Sequence, residues 1–80
     1  MITVEVIVYA TLVDYVPGSR PGAPLAVRLE KGKTVLELLE QLGIPGEKTK
    51  LVFINGVSRN MDHILNDGDR VGIFPPIAGG

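Results

Sequence analysis

A single capped helix, set between stretches that alternate with the two-residue period of strands, restricts this chain to one kind of architecture. Thr34 and Glu37 have the spacing of a capping box, in which the hydroxyl and the carboxylate each accept from a backbone N–H that the first helical turn leaves orphaned. Val35, Leu38, Leu39 and Leu42 follow at i, i+3, i+4 and i+7, which makes one apolar stripe. Gly43, Ile44 and Pro45 then supply a left-handed cap, its hydrophobic contact and a stop. The spacing predicts one helix of about two and a half turns. A helix with one apolar face must bury it, and the rest of the chain offers only strands.

Those strands are legible as alternation. Ile2, Val4, Val6 and Val8 share one face of residues 2–9, with Thr3, Glu5, Ile7 and Tyr9 on the other. Leu25, Val27 and Leu29 alternate with Ala26, Arg28 and Glu30, and Lys31-Gly32-Lys33 is the exit turn. After the helix, Leu51 to Ile54 make a third strand and Asn55-Gly56 a tight hairpin turn, because both central positions of a type I′ turn need positive φ. Val57 to Arg59 is a short return; Met61, Ile64 and Leu65 have the spacing of one helical turn; Asn66 to Asp69 is a further turn. In the last strand, 70–74, Val71 and Ile73 point inward while Arg70, Gly72 and Phe74 point outward. The predicted order is strand, strand, helix, strand, short strand, strand. That order implies an α+β fold with the helix on one face, a β-grasp, ubiquitin-like mixed sheet packed on one main helix. Residues 1–74 are expected to form the domain and 75–80 a flexible tail.

At 80 residues, 45% hydrophobic and 21% charged, the chain is long enough for one small core and too short for a large internal cofactor cavity. Eight Lys and Arg against nine Asp and Glu, with neither sign in blocks, give no basic patch for nucleic acid or an anionic membrane. The apolar start lacks a basic n-region and carries Glu5 early, so no signal peptide is expected. No apolar run reaches transmembrane length. A cytoplasmic location is expected. With no cysteine, a disulfide framework, a thiolate zinc site and a cysteine nucleophile are excluded. There are no paired catalytic carboxylates, no Ser/His/Asp set and no phosphate-binding glycine loop. The lone His63 is read as a structural hydrogen-bonder, and Asp67-Gly68-Asp69 as a turn, since it lacks the distal Glu of a calcium loop.

Residues 10–24 hold three prolines and two glycines. They are expected to form a mobile loop, opened by a helical turn that Thr11 caps and that ends at Val16. If the first and last strands are neighbours, Ile7, Tyr9 and Phe74 join into one exposed apolar patch, the kind of surface that marks a partner contact. The alternative is that the 10–24 loop folds over them.

The chain closes on Phe74-Pro75-Pro76-Ile77-Ala78-Gly79-Gly80. Two prolines remove two ladder donors and favour polyproline II geometry, so the strand must stop there. At about 3.1 Å per residue the last six residues reach roughly 18 Å beyond Phe74. Glycines carry no Cβ, so Gly79-Gly80 suit a narrow channel leading to another protein's active site.

LNDGDRVGIFPPIAGG, residues 65–80, resembles the end of the small sulfur-carrier subunit of molybdopterin synthase (MoaD) in its turn, final strand, Phe-Pro-Pro and terminal Gly-Gly. Length and element order extend the similarity over essentially the whole chain. The thiamine-pathway carrier (ThiS) is similar in fold and terminal glycines but usually lacks the diproline. The resemblance implies a non-enzyme co-substrate with no catalytic residues, no metal and no bound cofactor. An E1-like adenylating enzyme (MoeB/ThiF type) uses ATP to adenylate the Gly80 carboxylate. Sulfur from a persulfide donor then displaces AMP, and the thiocarboxylate supplies the large synthase subunit (MoaE type) in molybdenum-cofactor synthesis. Pro75, Pro76, Ile77, Ala78 and Gly79 would thread the partner's active site. Phe74 and Tyr9, with Ile7, would form the partner interface. The hairpin return departs from the resemblance, carrying Ser58 and Arg59 where apolar residues are often found. Other uses of the same terminus stay open: a thiamine-type or other sulfur carrier, a ubiquitin-like modifier joined to lysines, or a plain binding module.

Overall fold

The computed structural model describes residues 1–76; Ile77, Ala78, Gly79 and Gly80, and with them most of the expected tail, lie outside the described residues. Five strands and one α-helix run in the expected order: β1 (Ile2–Val8), β2 (Pro24–Leu29), α1 (Val35–Leu42), β3 (Leu51–Ile54), β4 (Val57–Ser58) and β5 (Arg70–Phe74). They form one sheet in the order β2-β1-β5-β3-β4. The first and last strands are parallel neighbours, Val6 opposite Val71 and Val8 opposite Ile73; the remaining pairs are antiparallel. Parallel neighbours need a long crossover, and here the intervening chain, α1 included, supplies it. This is the β-grasp arrangement.

Alternation decides the two faces of the sheet. Val4, Val6 and Val8 of β1, Leu29 of β2, Val52 and Ile54 of β3, and Val71 and Ile73 of β5 are buried in one core with Val35, Leu38 and Leu39 of α1. The helix is held at both ends. Thr34 Oγ1 accepts from the Glu37 N–H at 3.2 Å, and Glu37 Oε1 accepts from the Thr34 N–H at 3.0 Å, which completes the capping box. Gly43, at φ 79°, closes the other end, and the buried Ile44 donates its N–H to the Leu39 carbonyl.

Three expectations are corrected. Met61, Ile64 and Leu65 do not form a helical turn: Ile64 bridges Thr34 in antiparallel fashion and is exposed, while Leu65 alone is fully buried. The helix needs these carbonyls for itself. Val35 N–H donates to His63 O at 2.9 Å and Leu36 N–H to Met61 O at 3.0 Å, so the segment satisfies the orphan donors of α1 and cannot also coil. This is the structural role His63 plays, through its backbone. Thr11, for its part, caps nothing. The 3-10 helix spans Ala10–Tyr15 with Tyr9 at the cap position and no side-chain cap bond; the Leu12 N–H turns back directly onto Tyr9 O. Nor is the 10–24 segment a free loop, because Leu12 and Val16 are buried in the core and Gly22 N–H donates to Val8 O at 3.0 Å.

The Asn66–Asp69 turn is tied down on both sides. Asp67 accepts from the Thr3 N–H, and the buried Asp69 accepts from the Asn66 N–H and the Asn55 amide. Among the described residues no cluster of acidic or histidine side chains is arranged to hold a metal ion, and no helix is long and apolar enough to cross a membrane.

The capping box gives a measurable pH dependence. The Thr34 backbone N–H, and then Lys33 at 3.3 Å, hold the Glu37 carboxyl below its ordinary value of 4.5. A carboxylate depressed in the folded state adds stability above its unfolded value and loses it as pH falls through the lower folded value. Glu37→Gln is therefore expected to lower the urea midpoint slightly at neutral pH, with the gap to the parent closing below pH 4.5. The Glu37 side chain is 41% exposed, so solvent screening keeps this effect small. Thr34→Ala is expected to cost about 1 kcal/mol at neutral pH.

Candidate functional site

Ile7, Tyr9 and Phe74 all alternate away from the helix, and the parallel β1–β5 pairing brings them together. The Tyr9 and Phe74 rings stack with centroids 4.3 Å apart and planes 7° apart. Phe53 meets Phe74 edge-on, at 5.5 Å and 86°. Both are arrangements that aromatic quadrupoles favour. With Gly56, Gly72 and Arg70 these residues line an apolar groove of about 330 Å³ on the outer face. All three aromatic residues are half-buried.

Phe53 is the member that sequence reasoning missed. Its signal was the alternation of β3: Val52 and Ile54 are buried, so Leu51 and Phe53 fall on the outer face, and Phe53 sits opposite Gly72 of β5. Strand order was required to see that β3 adjoins β5. The 10–24 segment flanks this surface without covering it. A Cβ on Gly22 would lie 3.9 Å from the edge of the Tyr9 ring, yet no residue from 10–24 lines the groove.

The ladder ends where Phe74 ends. Tyr9 N–H donates to Ile73 O at 3.2 Å and Lys50 N–H to Phe74 O at 2.8 Å; the next two residues have no N–H to offer in return. Pro75 is half-buried and Pro76 exposed. Both lie beside Thr11, Leu12, Asp14 and Tyr15 of the 3-10 helix and Lys48. The root of the tail is thus fixed by its side chain, its carbonyl and the two following prolines, at the edge of the aromatic groove. Ile77, Ala78, Gly79 and Gly80 lie outside the described residues.

The charges on this face are few. Arg70 Nε donates to Glu5 Oε1 at 2.9 Å across the β1–β5 pair. The hairpin return adds little, since Val57 and Ser58 are exposed and Arg59 reaches Val52 only through its backbone N–H. A second hollow on the sheet, lined by Thr3, Glu5, Ala26 and Asp67, has no aromatic wall.

Solved structures share this architecture. The Haloferax volcanii protein HVO 2177 is 28% identical, with a TM-score of 0.76, and the match covers 99% of this chain and 87% of that one. A Pyrococcus furiosus protein provisionally named molybdopterin converting factor, subunit 1 is 24% identical over 96% of this chain and all of its own, with a TM-score of 0.75. SAMP1 from Haloferax volcanii is 24% identical over 98% and 99% of the two chains, with a TM-score of 0.72. At 24% identity the last two likenesses establish the fold. Comparison with curated proteins returns no match. The family model described as Mut7-C ubiquitin matches residues 1–78, which takes in the whole sheet, the helix and the Phe-Pro-Pro root, and the chain therefore belongs to the Mut7-C ubiquitin family.

Proposed function

We propose that the chain is a sulfur carrier for molybdopterin synthesis, acting as a co-substrate through Gly80. The observation that carries this reading is the anchored root: Phe74 is held by the Tyr9 and Phe53 rings and by the Lys50 N–H at the point where Pro75-Pro76 ends the sheet. An apolar surface beside a fixed exit suits a protein that presents its terminus to successive partners. Family membership and the name of the Pyrococcus furiosus neighbour support it.

The chemistry balances without a catalytic residue on this chain. A Gly80 carboxylate oxygen attacks the α-phosphorus of ATP in an E1-like enzyme and pyrophosphate leaves. The terminal sulfur of a persulfide attacks the acyl carbon and AMP leaves with the oxygen. A thiol then reduces the acyl disulfide to the thiocarboxylate. Because the chain has no cysteine, it can hold transferable sulfur only there. The large subunit of a molybdopterin synthase would receive it, and the use of ATP, a persulfide donor and a reducing thiol suits a cytoplasmic setting.

A second reading has an observation of its own: a neighbour with a TM-score of 0.74 is named small archaeal modifier protein 1. Both uses begin with an acyl-adenylate, and they diverge in the acceptor. Intact mass of protein ending at Gly80, before and after incubation with an activating enzyme, ATP and sulfide, tests the first. One oxygen replaced by sulfur supports the carrier. Lysine-linked adducts in cells without that replacement support the modifier. No change with ATP and several such enzymes refutes both.

A further inference from the structure

We propose that the free edge of β2 pairs antiparallel with β2 of a second copy of this chain, about a two-fold axis through Ala26. The edge is defined by where β1 sends its bonds. Thr3 N–H donates to Asp67 Oδ1, Thr3 O accepts from Gly68 N–H, and Glu5 N–H donates to Asp69 O, all on the side away from β2. Arg28 and Ala26 stand opposite Thr3 and Glu5, and Pro24 follows in the same phase, opposite Ile7. In an antiparallel ladder such residues turn their own N–H and C=O away from the partner strand. β2 ends the sheet order, so these groups face outward, and all three residues are exposed. One group is already occupied, because Gln41 Nε2 donates to Arg28 O at 2.8 Å. Pro24 has no N–H. Among the described residues the edge therefore offers Arg28 N–H, Ala26 N–H, Ala26 C=O and Pro24 C=O.

These groups complement their own copy in one register. With Ala26 on the axis, the two Ala26 residues exchange both bonds, and each Arg28 N–H meets the Pro24 C=O of the other copy. The donor that Pro24 lacks falls opposite the Arg28 carbonyl that Gln41 has satisfied, so no backbone group is buried without a partner. Moving the axis by one residue breaks this. Centred on Leu25, the Ala26 carbonyl faces Pro24 and finds no donor; centred on Val27, the Ala26 N–H faces the occupied Arg28 carbonyl. The side chains agree with the register. On the inner face the half-buried Leu25 falls opposite the buried Val27 of the other copy, an apolar cross-strand pair made twice. The two Arg28 residues stand four positions apart along the paired strands, about 13 Å, beyond the screening length of about 8 Å. A net charge of -1 gives two copies little reason to repel. In the sheet order β5 lies two strands from the axis, so the pairing leaves both Phe74 roots uncovered.

The test is sedimentation velocity of the full chain from about 10 µM to about 1 mM, joined to amide hydrogen exchange at both ends of that range. One strand pair makes a small interface, and half-dimerisation is expected on the order of 0.1 mM. At about 1 mM roughly one-fifth of the chain then stays monomeric, so the Ala26 and Arg28 amides should exchange about 5-fold more slowly than in the dilute sample. Leu25 and Val27, already in the ladder with β1, should change little. Ala26→Pro removes the two central donors at an edge position that tolerates proline; it is expected to keep the parent melting temperature in dilute solution and to stay monomeric throughout. Gln41→Ala leaves the Arg28 carbonyl facing Pro24 with no donor, and is expected to raise the dimer dissociation constant about 10-fold. A parent that remains monomeric at about 1 mM overturns the proposal. So does a dimer in which the Ala26 and Arg28 amides exchange at unchanged rates, or a folded Ala26→Pro that associates as the parent does. A parent-like dissociation constant in Gln41→Ala, which keeps its own test should Ala26→Pro fail to fold, overturns the register through Ala26.

Discussion

Removal of Gly79 and Gly80 is expected to abolish sulfur loading while leaving the fold at its parent stability. The first half follows from chemistry. Adenylation needs a carboxylate that reaches the α-phosphorus, and shortening the chain by two residues withdraws the new terminus, Ala78, by about 6 Å in polyproline II geometry. Misplacement of even about 1 Å costs roughly 100-fold in a reaction that depends on positioning. A methyl group on the terminal residue also has to pass wherever the glycines did. Exchange and the oxygen-to-sulfur mass change should both fall to the level seen without enzyme. The second half follows from the contacts: the core, the capping box and the aromatic stack are all made by residues 1–76. A melting temperature equal to the parent's, with loading lost, separates the terminus from the domain. Retained loading would end the carrier and modifier readings together.

How much of this was legible depended on whether neighbouring sequence or distant sequence sets the structure. Helix α1 was, because Thr34, Glu37, Gly43 and the apolar stripe are local signals that agree with one another. The inward faces of β1 and β5 were too, since period-two alternation is local. Met61, Ile64 and Leu65 were misread because three apolar residues fit one helical turn as well as they fit an irregular segment. What decides is distant: the N-terminal donors of α1 take the carbonyls of Met61 and His63. The 3-10 helix after β1 was expected to start at a Thr cap, yet the burial of Leu12 and Val16 fixes its phase. In the site, Ile7, Tyr9 and Phe74 depended only on β1 lying beside β5, which could be posed as a condition. Phe53 depended on β5 lying between β1 and β3, and no local pattern states that.

The largest effect on stability is expected from Leu38→Ala. Leu38 has no exposed surface and sits in the core with the inner faces of β1 and β5, so truncation leaves a cavity that a small sheet closes poorly. The cost of such a change is about 2–5 kcal/mol. At about 0.05–0.15 kcal/mol per residue, a domain of 80 residues holds only about 4–12 kcal/mol in total. The melting temperature should fall by roughly 10–30 °C. Leu36, two residues earlier on the same helix, is 44% exposed, and Leu36→Ala should stay within about 0.5 kcal/mol. Equal losses at the two positions would show that α1 buries a different face from the one described. Sulfur loading of Leu38→Ala should follow its folded fraction, recovering on moderate cooling, because the mutation leaves the terminus and the aromatic groove chemically intact. Loss of Gly79 and Gly80 should not recover at any temperature. Those different temperature responses distinguish a chain that cannot fold from one that folds but no longer carries its terminal carboxylate to the activating site.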